Sequence, residues 1–135
     1  MQIRFEPSRV GDLRRIFVVE TDEIIRSALS FILHNENETY ALTSLEQAYA
    51  KGRERRPDLV LLGLDIVRDE GVRVLGDMAT RLPGVKILLV ADSADEPLAH
   101  DCLDSGAHAV LGKPIASDSV LCTVDILLDC DDQPE

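Results

Sequence analysis

Charged and small residues follow the short apolar runs of this sequence, at positions where a ligand site could form. Glu20 and Thr21 come directly after the run Ile16–Val19, and Lys113 follows the last such run. In a parallel α/β sheet, ligands bind beyond the carboxyl ends of the strands, where the strand order switches. We therefore expect a candidate site at those ends, formed by Glu20 with Thr21, Gly63, Ala91, and Gly112 with Lys113.

The histidines, cysteines and glycines form none of the common catalytic or metal-binding motifs. The histidines lack the spacing of a zinc site, and the cysteines are odd in number without a CxxC pair. We therefore expect surface or helix-end histidines and buried, reduced thiols at His34, His100, His108, Cys102, Cys122 and Cys130. No GxSxG, Walker A or GxGxxG sequence occurs. The sequence therefore predicts a protein that is not an enzyme.

The composition is that of one acidic globular domain. A length of 135 residues fits a single domain, and 14 Lys plus Arg against 25 Asp plus Glu give a formal net charge of −11. This charge argues against binding to nucleic acid or to an anionic membrane, and favours a neutral or basic protein partner. No apolar run reaches the ~20 residues of a membrane span, and no signal-peptide core is present. We therefore expect a cytoplasmic protein.

One basic cluster stands out against this acidic background. Lys51, Arg53, Arg55 and Arg56 follow one another at the end of a predicted helix. Cations interact favourably with the negative end of the helix dipole. We interpret the cluster as a solvated surface, and not as a nucleic-acid-binding stripe.

Alternating apolar runs and helical patterns predict a three-layer α/β domain. The predicted strands are Ile16–Val19, Thr39–Thr43, Leu59–Leu64, Ile87–Val90 and His108–Leu111. Helices follow each of them, with a capping box at Ser44 and Gln47 and a polar loop over residues 65–71. Such an alternation favours a parallel five-stranded sheet with right-handed crossovers. We divide the chain into a leader at 1–13, a domain at 14–129 and an acidic tail at 130–135.

The first predicted helix has a wider apolar surface than one packed face requires. Ile25, Ala28, Leu29 and Ile32 recur at helical spacing and predict the buried face. Adding Ile24, Phe31 and Leu33 widens the apolar arc to about 200°, where a packed face needs about 100° or somewhat more. We therefore expect Ile24, Phe31 and Leu33 to form a face that contacts a partner.

Four motifs in a fixed order resemble the response regulator receiver domain, the CheY-like family. They are V-V followed by acids, P-D-L-V-L-L, an apolar strand followed by a small residue, and G-A-x-x-x-L-x-K-P. The resemblance covers about residues 14–129. It implies a flavodoxin-like (βα)5 sandwich with strand order 2-1-3-4-5. It also implies a two-component signalling role, with a histidine kinase, an output protein or a second copy as partner. Receivers commonly dimerise or bind targets through the surface of the fourth helix, fifth strand and fifth helix, which is therefore a second candidate contact face beside the first helix. We expect a stand-alone domain.

The resemblance implies a phosphorylation pocket that has lost its central groups. A working receiver accepts a phosphoryl group on an Asp that ends strand three, beside Mg²⁺ held by acids after strand one. Here those positions fall on Gly63 and on Glu20 with Thr21. Glycine has no side chain to phosphorylate, and threonine is not a carboxylate. We therefore expect no cofactor, with Mg²⁺ binding weak or absent.

The residues that read the phosphoryl group in the family are also changed. The hydroxyl expected after strand four falls on Ala91, and the aromatic switch position in strand five falls on Val110. Lys113 is kept before Pro114, and this X-Pro bond is a candidate cis peptide. We expect its ammonium to turn toward Glu20 or Asp65, because no acceptor carboxylate is present.

Three interpretations follow from this pattern. The first is a pseudo-receiver that binds a partner protein without phosphorylation at position 63. The second is a phosphorelay receiver that is phosphorylated atypically at Asp65. The third is a flavodoxin-like enzyme or small-ligand sensor whose site lies at the strand ends.

Overall fold

The fold is known from a computed structural model, which describes residues 14–35 and 37–131, with side chains up to residue 128. Five strands form one parallel sheet in the order β2-β1-β3-β4-β5, as predicted. The strands are β1 (Arg14–Val19), β2 (Asn37–Leu42), β3 (Leu59–Gly63), β4 (Lys86–Ala91) and β5 (Ala109–Gly112). The doubly wound α/β class is confirmed.

Six helices connect and flank the strands in the described part of the chain. They are α1 (Glu23–Leu33), α2 (Leu45–Glu54), α3 (Leu64–Glu70), α4 (Val74–Arg81), α5 (Pro97–Ser105) and α6 (Ser117–Asp131). Asp22 caps α1 by accepting hydrogen bonds from the backbone N–H groups of Ile24 and Ile25. The predicted cap at Ser44 is confirmed, since its hydroxyl accepts from Gln47 N at 3.2 Å. None of these helices is long and apolar enough to cross a membrane.

The core forms two layers because alternate residues of each strand point to opposite faces of the sheet. One face packs against α1 and α6, and its buried residues include Ile16, Val18, Leu61, Leu29 and Val124. The other face packs against α2, α3, α4 and α5, with Phe17, Val60, Leu62, Met78 and Cys102 among its buried residues. This layering holds the strand ends at a common edge.

Two boundaries differ from the prediction. Residues 65–71 were expected to form a polar loop, but α3 occupies Leu64–Glu70. The helix forms because Leu64 and Val67 lie one turn apart on a buried face, and it ends at Gly71, whose φ is 97°. At the other end of the chain, α6 continues to Asp131, beyond the predicted domain limit at 129. The predicted leader, and the tail from residue 132 on, lie outside the described residues.

The register of the sheet brings the predicted site residues to one edge. Val19 pairs with Leu62, Gly63 with Val90, and Ala91 with Gly112. The residue after Val19 therefore leaves β1 beside Gly63, and the residue after Gly112 leaves β5 beside the end of β4.

Candidate functional site

The carboxylate of Glu20 lies over Gly63 and fills the space that a side chain at position 63 would need. An added Cβ at Gly63 would lie 2.6 Å from Glu20 Oε1 and 2.9 Å from Glu20 Cδ. The backbone does not require glycine there, since φ is −64° and ψ is 134°. The glycine is therefore matched to the volume of the Glu20 carboxylate and not to a special backbone conformation.

The end of β1 and the start of α1 hold Glu20 in this position. Its backbone N–H donates to Leu42 O at 3.1 Å, which extends the pairing of β1 with β2. Its carboxylate oxygen Oε2 accepts from Asp22 N at 3.0 Å. Its backbone carbonyl accepts from Arg26 Nη1 at 2.8 Å. Only 4% of the residue is exposed, so the carboxylate is buried and held at both its backbone and its side chain.

Burial raises the pKa of Glu20, because a charged carboxylate loses hydration there. The hydrogen bond from Asp22 N and the charge of Lys113 lower this pKa, whereas the charges of Asp22 and Asp65 raise it further. The net direction is upward. A proton is therefore held more tightly by Glu20 in the folded chain than in the unfolded chain.

We expect the Glu20→Gln substitution to remove a pH dependence of stability. Because the folded pKa of Glu20 is raised, its contribution favours folding at low pH and is lost as pH rises from about its ordinary value of 4.5 through the raised pKa. Urea unfolding of the wild type and of Glu20→Gln over this range measures the difference. The substitution Glu23→Gln, at an exposed acid in the first turn of α1, is the matched control. A Glu20→Gln chain with the pH slope of the wild type would contradict this assignment.

Lys113 forms an ion pair with Asp92. The prediction that its ammonium turns toward Glu20 or Asp65 was wrong. The Nζ atom of Lys113 donates to Asp92 Oδ1 at 2.9 Å. The reason is the pairing of β4 with β5: Lys113 N donates to Ala91 O at 3.1 Å, so Lys113 and Asp92 leave neighbouring strand ends side by side. The bond between Lys113 and Pro114 is cis, as the resemblance implies.

The ion pair of Lys113 and Asp92 stabilises the charged form of both groups. The hydrogen bond from Lys113 lowers the pKa of Asp92, and the same bond raises the pKa of Lys113. The Asp92 side chain is 78% exposed, so this pair contributes little to stability. It directs one of the three N–H donors of the ammonium to Asp92.

Asp65 lies at the rim of the cleft, in the first turn of α3. Its side chain is 70% exposed, and its Oδ1 lies 3.7 Å from Arg68 Nε. Arg68 also donates through Nη2 to Glu96 Oε1 at 3.1 Å. The second cation near the site is therefore also engaged by acids of the same chain.

The structure brings most of the predicted site residues into one shallow cleft. Its lining comprises Glu20, Leu64, Asp65, Arg68, Val90, Ala91, Asp92 and Lys113. Gly63 lies beneath the Glu20 carboxylate, the exposed Thr21 is outside the lining, and Val110 packs partly buried against the core. The sequence analysis missed Arg68, Asp92 and Glu96. Asp92 could have been found, because it directly follows the small residue Ala91 at a predicted strand end.

Comparison with known proteins places the chain in a family. The response regulator receiver domain matches residues 16–125. The chain belongs to this family. Among its relatives is the transcriptional regulatory protein LnrK of Bacillus subtilis, 26% identical over 110 residues, which are 79% of this chain and 50% of LnrK. The chain spans about half the length of the curated relatives it matches.

Solved receiver structures have the same fold. A CheY-like response regulator receiver domain protein from Methanospirillum hungatei is 25% identical, with a TM-score of 0.78 over 90% of this chain and 98% of the other. The beryllofluoride-activated NtrC4 receiver domain dimer gives 23% identity and a TM-score of 0.76, over 87% of this chain and 98% of the other. These likenesses agree with the observed strand order.

The acids that line the cleft, Glu20, Asp65 and Asp92, are each engaged within the chain. Magnesium needs several oxygen ligands in octahedral geometry. Glu20 lies folded over Gly63, Asp22 Oδ1 caps α1, and Asp65 points to solvent beside Arg68. Within the described residues, no three His, Cys, Asp or Glu side chains converge on a metal position.

The histidines of this receiver are exposed, as expected. Cys102 is buried, as expected, but Cys122 is exposed because it lies on the outer face of α6.

The outer face of α1 is narrower than predicted. Ile24 and Phe31 are exposed, at 78% and 73%, whereas Leu33 is fully buried in the core beside Leu29. Side chains seven positions apart in sequence, such as Ile24 and Phe31, differ in direction around the helix axis by about 20°. Side chains two positions apart, such as Phe31 and Leu33, differ by about 200°. Leu33 therefore points to the core when Phe31 points to solvent, and its inclusion in the partner face was wrong. The Phe31 ring contacts His34, with the ring centroids 5.8 Å apart.

Proposed function

We propose that this receiver domain is a cytoplasmic pseudo-receiver, which signals by binding a partner protein without aspartyl phosphorylation at position 63. The observation that supports this most strongly is the Glu20 carboxylate over Gly63, 2.6 Å from where a Cβ would lie. The position that the family resemblance assigns to the phosphoacceptor has no side chain, and a neighbouring carboxylate takes its space. An acyl phosphate cannot form on a hydrogen atom.

The rest of the cleft supports the same proposal. Phosphoryl transfer depends on positioned cations, since these stabilise the charge of the transferring group. Here Lys113 is bound to Asp92, and Arg68 is bound to Glu96. A phosphoryl group would have to share these cations with the acids of the chain and would lie beside the Glu20 carboxylate. We therefore expect binding of Mg²⁺ to remain weak or absent.

We place the partner contact on α1, at Ile24 and Phe31. Both side chains are large and apolar, and more than two thirds of the surface of each is exposed. A partner that covers them removes this apolar surface from water, which favours binding. A histidine kinase or an output protein is the partner that the family implies. A homodimer is the other candidate, since the NtrC4 receiver forms one.

The double substitution Ile24→Glu with Phe31→Glu should abolish partner binding and leave the fold intact. We expect at least a tenfold loss of affinity, because charges replace the apolar side chains in the centre of the contact. The measurement is quantitative co-purification from cell extract of the source organism, with sedimentation velocity to detect a homodimer. The control is Ile126→Glu, which charges an equally large exposed residue, 56% exposed, on α6. If the control lost the partner and the α1 variant kept it, α1 would not be the contact face.

Phosphorylation at Asp65 is the second candidate function, favoured by the exposure of this side chain at the rim of the cleft. It predicts one phosphoryl adduct that the substitution Asp65→Asn abolishes. The same substitution leaves our proposal unaffected, because partner binding through α1 does not involve Asp65.

A further inference from the structure

The basic residues of this acidic receiver concentrate at the amino edge of the sheet, opposite the candidate site. Parallel strands begin at this edge, and the helices that run back along them end there. Among the described residues, only Arg26, Arg68, Arg73 and Lys113 lie elsewhere. The residues at the amino edge are Arg14, Arg15, Lys51, Arg53, Arg55, Arg56, Arg81 and Lys86. Among the described residues, most cations thus lie at this end, together with the acids Glu38, Glu54 and Asp58, on a chain of net charge −11.

A groove of about 370 Å³ crosses this edge between the segment before β3 and the turn before β4. Its walls are Arg55, Arg56, Pro57 and Asp58 on one side and Pro83 and Gly84 on the other. Arg56 Nη1 donates to Pro83 O at 3.2 Å, and Arg55 Nη2 lies 3.4 Å from Glu38 Oε1. A guanidinium group has five N–H donors, so each arginine keeps donors for a ligand.

The buried Arg15 fixes the wall that carries these two arginines. Its Nε donates to Arg55 O at 2.9 Å, and its backbone N–H donates to Asp58 Oδ2 at 2.8 Å. Lys86 N donates to Asp58 O at 3.1 Å and ties this wall to the start of β4. The groove is therefore built on strand starts, which makes it a preformed surface.

We propose that this groove binds a short segment of a partner protein that is rich in Asp and Glu. Paired guanidinium groups match carboxylates in geometry as well as in charge. Pro57 and Pro83 provide apolar walls against which an extended backbone can lie. A long polyphosphate would also meet the acidic remainder of the chain, whereas a short acidic peptide would contact the basic edge alone.

The test is the binding of a fluorescein-labelled hexaglutamate peptide to the full chain, followed by fluorescence anisotropy at low ionic strength. We expect saturable binding that is weakened at least about tenfold in Arg55→Gln with Arg56→Gln. The matched control, Arg68→Gln with Arg73→Gln, removes two cations from the opposite edge and should change affinity less than about twofold. Circular dichroism on heating verifies the fold. If the loss of the Arg55 contact with Glu38 unfolds the first variant, the single substitution Arg56→Gln replaces it.

Four results would overturn the proposal. Equal losses in both pairs of variants would mean that affinity depends on the overall charge of the chain and not on the groove. Displacement of the peptide by inorganic phosphate at equal charge would mean a small-anion site. Tighter binding of a short DNA duplex would mean a nucleic-acid surface, and sedimentation of the wild type as an oligomer that Arg55→Gln with Arg56→Gln dissolves would assign the groove to a second copy.

Discussion

Replacing Gly63 by aspartate is expected to lower the free energy of unfolding by about 2–3 kcal/mol at pH 7. Overpacking of a well-packed site costs about 1–3 kcal/mol, and two carboxylates at one site repel each other as well. The new Cβ would lie 2.6 Å from Glu20 Oε1, so the end of the Glu20 side chain has to shift. This shift disturbs the hydrogen bond from Asp22 N to Glu20 Oε2, which is 3.0 Å long. Urea unfolding measures the loss.

Two matched variants separate the causes of this loss. Gly63→Ala keeps the steric conflict and omits the charge, so it should lose less than Gly63→Asp. Adding Glu20→Ala to Gly63→Asp removes both the overlap and the repulsion, and should recover most of the lost stability. This non-additivity is the signature of direct contact between positions 20 and 63. Strictly additive effects of the two substitutions would contradict the contact.

Replacing Arg15 by methionine is expected to cost about 2–3 kcal/mol of unfolding free energy. Removing one member of a buried ion pair costs up to about 3–5 kcal/mol, and here Glu38 keeps other partners. The side chain of Arg15 is only 6% exposed, binds Glu38, and donates to Tyr40 Oη at 3.2 Å and to Arg55 O at 2.9 Å. Its guanidinium also lies 4.7 Å from the centre of the Tyr40 ring. Thermal and urea unfolding measure the loss.

The control for Arg15 is Arg55→Met, because Arg55 binds the same carboxylate from the surface. Its side chain is 59% exposed, so we expect a loss of less than about 1 kcal/mol. Equal losses for the two substitutions would show that burial of Arg15 contributes nothing beyond its ion pair. If only the Arg15 substitution lowers stability, we also expect it to weaken peptide binding in the groove at the amino edge, because Arg15 holds one wall of that groove in place.

The sheet order could be predicted because the motifs of this chain occur in the order of the receiver family, and the resemblance implies that order; the apolar runs of β1, β3 and β4 mark only the strands themselves. The helix α3 could not, because Asp65 and Gly71 resemble loop residues while the turn is formed by burial of Leu64 and Val67. The partner of Lys113 was missed for a related reason. Its pairing with Asp92 follows from the register of β4 with β5, which no local pattern encodes.

The contact between Glu20 and Gly63 is the feature of the site that the sequence could not predict. The sequence predicts both residues at strand ends, and the order 2-1-3 makes their strands neighbours. It does not predict that the longer Glu side chain folds over the glycine, because this depends on a rotamer and on the hydrogen bond to Asp22 N. The error at Leu33 has the opposite origin, since helical geometry alone would have turned it toward the core.

The central claim is that this receiver has no acceptor carboxylate at position 63 and works without phosphorylation. Incubation of the wild type with acetyl phosphate and Mg²⁺, followed by intact-protein mass spectrometry, tests it most directly. We expect no added phosphoryl mass in the wild type, and little in Gly63→Asp, because Thr21 and Ala91 still lack the second acid and the hydroxyl that the family places at these positions. A stoichiometric phosphoryl adduct on the wild type that disappears in Asp65→Asn would contradict the claim.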